Sequence, residues 1–397
     1  MRKPLEHIKV LDFTRVLAGP YCTMILANLG AEIIKVERPG IGDDSRDFGP
    51  FINGQSAYFI SINRGKKSIA LNLKSPKAVE VVKELVKEVD VVAENFRPGT
   101  MEKLGLGYEE LKKINPGLIF ATMSGFGQSG PYSRRPAYDM IVQGMGGIMS
   151  ITGEEGGKPV RVGTSIGDIV AGMYGAIGIL AALADREISG EGRMVDVAML
   201  DGQISILENA ISRYTFTGEV PKPLGARHPS IAPFEAYKTK DSYVIIACGN
   251  DKLWEKFCKL VDREDLLDME IFKTNPDRVK NVRKLNEYME EILSQKTTAE
   301  WDEFLNNNGI PCSPINTVDK LFKDPQVKAR NMLIEVEQPG VGKIQIAGNP
   351  IKISGMEEEV AKDPAPQIGE HGDVILKEYL GYTDEQINEL KKDGSMG

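Results

Sequence analysis

Up to about residue 190 the chain alternates short aliphatic runs with segments of helical periodicity. That alternation restricts the fold more than any other feature, because strands alternating with helices build a parallel α/β sheet. Lys9-Val10-Leu11-Asp12-Phe13 reads as a buried strand, followed by a loop through Gly19-Pro20 and a helix over roughly 21–29. Further strands are predicted at 32–36, 68–73, 89–93 and 118–123. Ser75 and Pro76 open a helix as N-cap and first helical residue. Ala78, Val81, Val82 and Leu85 then share one face at the i, i+3, i+4, i+7 spacing.

The pattern changes after that. Between about 213 and 316 a strand at 243–247 is followed by helices at 252–260, 279–293 and 298–306, which reads as a smaller α+β region. Thr297 with Glu300, and Thr383 with Gln386, fit capping boxes. Short strands are expected at Ile344-Gln345-Ile346 and Ile351-Lys352-Ile353, and a last helix from Asp384. A length of 397 residues suits two domains.

Composition narrows the class of function. With 41% hydrophobic and 27% charged residues the chain can bury a large core without disulfides. Cys22, Cys248, Cys258 and Cys312 are far apart, and none forms a C-x-x-C pair. Scattered thiols suit a reducing compartment. The N-terminal stretch Met1-Arg2-Lys3-Pro4-Leu5-Glu6-His7 has no apolar run behind it, unlike a secretory signal. The most apolar stretch, 166–183, contains Asp168 and several glycines, so a buried helix is expected rather than a membrane span. A net charge of −8 argues against a nucleic-acid surface but leaves room for a small basic pocket. The expectation is a cytoplasmic protein with neither membrane nor nucleic-acid partner.

Three segments carry candidate chemistry. Thr14-Arg15-Val16-Leu17-Ala18-Gly19-Pro20 lies between the first strand and its helix, where doubly wound sheets bind ligands. It lacks the G-x-G-x-x-G of nicotinamide sites, and an ordinary strand–helix turn explains it equally well. Lys35, Arg38, Arg64, Lys66, Lys67, Lys74, Arg97 and Lys103 cluster at element ends, as an anion site or as solvated surface charge. Gly163-Thr164-Ser165-Ile166-Gly167-Asp168 opens the apolar helix, with Ile166, Ile169, Val170, Met173, Ile177 and Leu180 expected on its buried side. With Ser165 as N-cap, Asp168 is the third helical residue, which suits a simple capping carboxylate. The same place keeps a carboxylate ionised, as a nucleophile requires. None of the histidines (His7, His228, His371) pairs with a Ser or Cys, Cys312 reads as a small hydrophobe, and no residue cluster points to a metal.

In register, these segments resemble the class III CoA-transferases (CaiB/BaiF type). The resemblance is carried by Leu11-Asp12-Phe13-Thr14 with Ala18-Gly19-Pro20, Gly30 to Asp43, Glu94-Asn95-Phe96-Arg97-Pro98-Gly99, and Ser124-Gly125-Phe126-Gly127 with Gly130-Pro131. It continues through Tyr138-Asp139, Gly147, Gly163 to Gly172 and Val195-Asp196, nearly the whole length in one order. It implies an open, parallel, Rossmann-like large domain built from both chain ends, and two subunits interlocked as rings. The implied division is 1–200 for the first part of the large domain, 201–225 as linker, 226–325 for the small domain, and 326–397 returning to the large one.

The resemblance also implies roles. Asp168 is the nucleophile, and Val16, Leu17, Ala18, Arg38, Leu71, Lys74, Asn95, Phe96, Lys103 and Leu104 line a CoA site, with Tyr138 beside Asp168. CoA enters as a substrate thioester, with no tightly bound cofactor. Asp168 takes the acyl group as a mixed anhydride, then the CoA as an aspartyl thioester, and passes it to an acceptor acid. The chain departs from the formyl-CoA branch, which has a histidine where Arg15 stands, a glutamine where Leu17 stands, and a run of glycines where Gly225-Ala226-Arg227-His228-Pro229 stands. Gly225, Arg227-His228-Pro229, Ala232-Pro233-Phe234 and Cys248 to Leu253 are similar to the acetyl-CoA:oxalate CoA-transferases, as are Ala329 to Glu335 and Gly348 to Gly355. Arg15 or Arg227 then suits the second carboxylate of a small diacid, with His228 close by in sequence. Two other readings are an acyl-CoA racemase of the same fold, which requires a histidine where Tyr138 stands, and a CoA-binding protein without catalysis.

Overall fold

The computed structural model describes residues 3–356 and 363–397. Met1 and Arg2 of the N-terminal stretch, and 357–362 within the C-terminal segment, lie outside the described residues. By its internal contacts the chain divides into two compact units. The first comprises 1–149, 161–216 and 325–397, and the second 150–160 and 217–324.

The first unit is organised by a six-stranded sheet. Its strands are β1 (Lys9–Asp12), β2 (Glu32–Glu37), β3 (Lys67–Ala70), β4 (Val91–Glu94), β5 (Ile119–Ser124) and β6 (Met194–Ala198). They lie in the order β3-β2-β1-β4-β5-β6, and every pair is parallel. Successive strand residues face opposite sides, so the continuous apolar runs feed two cores. Leu11, Ile34, Ile69, Val92 and Phe120 enter one core, with Val82 and Leu85 from α2 (Pro76–Val86). Val10, Ile33, Val91, Ile119 and Ala121 enter the other, with Leu26 from α1 (Ala18–Asn28). The chain's last segment seals the first core. Ile375 and Leu376 of α10 (Gly372–Leu380), Ile387 and Leu390 of α11 (Asp384–Lys392), and Met396 pack there. Leu71 pairs with Met396 in an isolated bridge.

Four further helices matter for the site and its surroundings: α3 (Asp139–Met145), α4 (Ile166–Ser189), α5 (Met199–Ser205) and α6 (Asn209–Thr217). Helix α4 is long and apolar enough to cross a bilayer by composition, yet half of its most apolar window is buried inside the unit. Its buried side corrects the expectation from periodicity. Gly172, Gly175, Ala176 and Ile179 face inward, while Met173 and Ile177 are 46% and 57% exposed. Close approach decides this. A Cβ on Gly172 would stand 2.6 Å from the Ala18 carbonyl oxygen, and one on Gly175 2.6 Å from the Met123 sulfur. Only glycine lets α1 and the sheet come so near, so the small residues take the inner face.

In the second unit β7 (Phe234–Lys238), β8 (Tyr243–Ala247) and β9 (Cys312–Pro314) form an antiparallel sheet in the order β9-β8-β7. Helices α7 (Asp251–Leu260), α8 (Val282–Leu293) and α9 (Thr298–Asn307) cover a core containing Trp254, Phe257, Leu285 and Trp301. Both capping boxes form. Three local expectations change. The helix expected at 279–293 breaks at Asn281 (φ −106°, ψ 25°), which separates a short helix from α8. The stretch 201–225, expected as a linker, holds most of α5 and all of α6. Ile344 to Ile346 lie in a hairpin of β10 (Leu333–Gln338) and β11 (Gly342–Ala347), whereas 351–353 fall outside the strands formed by the described residues.

Candidate active site

The sheet order reverses between β1 and β4, and the loops leaving these strands meet there. In parallel sheets that crevice is where ligands bind. Asp12, fully buried at the end of β1, starts the construction. Its carboxylate accepts from the Thr14 amide (2.8 Å) and the Thr23 hydroxyl (2.8 Å), and pairs with Lys66 (3.2 Å). Burial alone would raise this carboxyl, but Lys66, Lys35 and the two threonines outweigh it and hold it below its ordinary value. The Arg15 amide donates to Asn95 Oδ1 and Asn95 Nδ2 donates back to the Arg15 carbonyl, both at 2.8 Å. This reciprocal pair ties the loop after β1 to the loop after β4.

Val16 then turns with φ 65°. A β-branched residue in the left-handed region is costly, about 1–3 kcal/mol, and persists only where its surroundings dictate it. Here the Val16 amide donates to Asp43 Oδ1 (3.0 Å), and Asp43 pairs with the fully buried Lys35 at 2.8 Å. Burial pushes Asp43 upward, but Lys35 and the amides of Ser45 and Val16 hold it well below the carboxylate range. Helix α1 begins immediately after this turn.

Two adjoining cavities flank the loop. The larger, about 490 Å³, is lined by Arg38, Lys74, Phe96 and Leu104, with Lys35 and Asp43 in its wall. The smaller, about 180 Å³, is lined by Val16, Leu17, Ala18, Asn95, Tyr138 and Asp168. Arg15 and Phe96 belong to both walls, with the guanidinium 5.5 Å from the ring centroid. Three arginines, Arg15, Arg97 and Arg135, line the smaller cavity with Asp168. Asp44 also lines it, and accepts from Arg15 (2.8 Å) and Arg38 (2.9 Å).

Asp168 is the third residue of α4, as its spacing predicts, but Ser165 makes no side-chain cap bond. Nor does the helix terminus keep the carboxyl acidic. Burial first, and the Asp139 carboxylate second, push it up to about 7. Asp139 is fixed beside it, accepting from the Gly167 amide (2.9 Å) and the Gln143 side chain (2.8 Å). Tyr138 is 76% exposed at the mouth. Burial and the charges of Asp168, Asp43 and Asp139 push the Tyr58 phenol up to about 12.

The other candidates lie elsewhere. Leu71 is core, and Lys103 is exposed outside both cavity walls. Of the basic cluster, Lys35, Arg64 and Lys66 are buried, with Lys66 on Asp12 and Arg64 on carbonyls of Ser61 and Ala347. Only Arg38, Lys74 and Arg97 of the exposed members reach a cavity wall. Arg227 and His228 belong to the second unit. There Arg227 lies 3.7 Å from Glu155, and His228 stacks on Phe234 with centroids 5.2 Å apart. Sequence reading missed Asp44 and Arg135 in the wall of the smaller cavity, and missed that Asp139 and Tyr58 come within electrostatic reach of Asp168, because these neighbourhoods form only on folding.

Residues 5–372 match the model of CoA-transferase family III. The chain belongs to CoA-transferase family III. The acetyl-CoA:oxalate CoA-transferase of Acetobacter aceti is 44% identical over 377 residues, 95% of this chain and 96% of that protein. The human succinyl-CoA:glutarate CoA-transferase is 42% identical over 393 residues, 99% of this chain and 90% of that protein. A crystal structure of a CaiB/BaiF family protein from Brucella suis superimposes with a TM-score of 0.84 at 41% identity, covering 96% of this chain and 100% of that one. This family III protein is therefore an enzyme of the CoA-transferase class, acting on CoA thioesters and carboxylates.

Proposed function

We propose that this enzyme moves CoA from a small acyl-CoA, acetyl-CoA first among them, to a short dicarboxylate such as oxalate, with Asp168 as the nucleophile. The observation that carries the reading is one small cavity holding the Asp168 carboxyl and three arginines, beside a larger basic cavity. A diacid needs one carboxylate at the nucleophile and a cation for the other, and a guanidinium suits the second. Arg38 and Lys74 meet the phosphates of CoA in the larger cavity, while Phe96 and Leu104 hold its apolar parts.

The Asp168 carboxylate attacks the donor thioester carbonyl. The carbon–sulfur bond breaks, CoA leaves as a thiolate, and a mixed anhydride remains. The thiolate attacks the Asp168 carbonyl of that anhydride and expels the donor carboxylate, leaving an aspartyl-CoA thioester. The acceptor carboxylate attacks the same carbonyl and expels the thiolate, which then attacks the acceptor carbonyl and returns Asp168 as a free carboxylate. Each exchange is redox-neutral and splits one difficult transfer into easier ones. A carboxylate made more basic by burial is the better nucleophile.

The enzyme works as a homodimer in the cytoplasm on this reading. Exposed apolar residues on three helices, Met140 and Ile141 of α3, Met173 and Ile177 of α4, and Ile211 and Phe216 of α6, support a covered face. All four cysteines are free thiols, in keeping with a reducing compartment.

Intact-protein mass spectrometry with acetyl-CoA, with and without oxalate and after hydroxylamine or borohydride quenching, tests the reading. An adduct at Asp168 and oxalyl-CoA, both missing in Asp168→Ala, are expected. An adduct without oxalyl-CoA redirects the acceptor to longer diacids, and no adduct with any acyl-CoA overturns the covalent route.

A further inference from the structure

The strained turn at Val16 and the buried Lys35–Asp43 pair belong to one device. Asp43 Oδ1 receives the Val16 amide (3.0 Å), the Ser45 amide (2.9 Å) and the Ser45 hydroxyl (2.7 Å). Its other oxygen pairs with Lys35 Nζ at 2.8 Å, and that ammonium also donates to the Thr14 carbonyl at 2.7 Å. The pair therefore grips the turn from both sides, through the carbonyl of Thr14 and the amide of Val16. Both side chains are buried, Lys35 fully and Asp43 to within 4%. Isolated buried charges of this kind are expensive, so their geometry is kept by mutual pairing and hydrogen bonds.

We infer that Asp43 is a positioning residue for the transfer, clamping Val16 in the left-handed conformation that sets Leu17 and Ala18 beside the Asp168 carboxyl. Three observations on this structure converge. Val16 is the only β-branched residue among the described non-glycine residues with positive φ, and it sits in the wall of the Asp168 cavity. The amide that would be free to swing if the turn relaxed is the one Asp43 holds. The clamp itself forms part of the wall of the larger cavity, while the turn it holds lines the smaller one. Relaxing Val16 to negative φ would redirect the chain at the start of α1, so Leu17 and Ala18 would leave the nucleophile. The role assigned to Asp43 rests on Asp168 being the nucleophile; the clamp itself does not.

A double-mutant cycle separates the two. Glycine occupies positive φ without strain, so a Val16→Gly chain holds the turn with less help. The variants are Asp43→Asn, Val16→Gly and the double variant, read by thermal midpoint and by the single-turnover rate of adduct formation at Asp168. Asp43→Asn is expected to slow adduct formation at least tenfold in the native background and less than threefold in the Val16→Gly background. The midpoint loss should shrink in the same background. Equal losses in both backgrounds overturn the inference, because Asp43 would then support the fold without acting through Val16. Should Asp43→Asn alone not fold, a folded and adduct-forming double variant supports the clamp and an unfolded one overturns it. If even the native enzyme forms no adduct, the covalent reading fails while the midpoint cycle still decides whether Asp43 clamps Val16.

Discussion

Asp168 sits where burial and the neighbouring Asp139 both disfavour its charged form, so its carboxyl is pushed up to about 7. Two consequences follow with opposite signs. If Asp168 is the nucleophile proposed above, the free enzyme needs its ionised form to attack a thioester, so kcat/KM for acyl-CoA should rise with pH along an acidic limb near 7 and then level. Stability runs the other way. The folded chain keeps this proton up to about 7 and the unfolded chain releases it near 3.8, so the contribution present at low pH is lost as pH climbs between these values. Asp168→Asn, inactive, should therefore be more stable than wild type at pH 8 by roughly 1–2 kcal/mol once solvent screening is allowed for, and equal to it near pH 3. Denaturant titrations at the two pH values check this.

At the scale of elements, the crossing of α1 and α4 connects packing to chemistry. Gly172 lies against the Ala18 carbonyl, and Ala18 lines the Asp168 cavity. Gly172→Leu would have to displace backbone rather than a flexible side-chain end. It should cost about 1–3 kcal/mol of stability and slow adduct formation as well. A control of similar thermal cost lies in the second unit. Thr297 caps α9 through a complete capping box, so Thr297→Ala should cost about 0.5–2 kcal/mol and leave adduct formation unchanged. The contrast between the two variants, each followed by thermal melting and trapped adduct, shows whether the α1–α4 contact positions the site.

Across the whole molecule, apolar side chains stand in solvent on α3, α4 and α6, with Phe216 89% exposed. On the homodimer reading these are covered by a second copy. Light scattering should then give twice the chain mass of 43.6 kDa. Phe216→Glu should shift the population toward the single chain, because a carboxylate is costly to bury in an apolar contact. A native protein that scatters as a single chain at micromolar concentration would remove the dimer from the reading.

The sequence by itself determined the strands. Continuous apolar runs such as Val91-Val92-Ala93 can only be buried on both faces, and helical segments between them force parallel pairing. It also determined the local signals that need only neighbours in the chain, such as the capping boxes at Thr297 and Thr383 and the third helical position of Asp168. Motif register along the chain carried the family resemblance. Tertiary structure decided what depends on distant partners. The inner face of α4 went to glycines rather than to Met173 and Ile177, because interhelical distance, not hydrophobicity, limits that contact. Lys66 left the supposed anion site because the buried Asp12 carboxylate claimed it, and Lys35, though in the wall of the larger cavity, is paired with Asp43. The basicity of Asp168 was set by desolvation and by Asp139, and neither acts until the chain has closed around them.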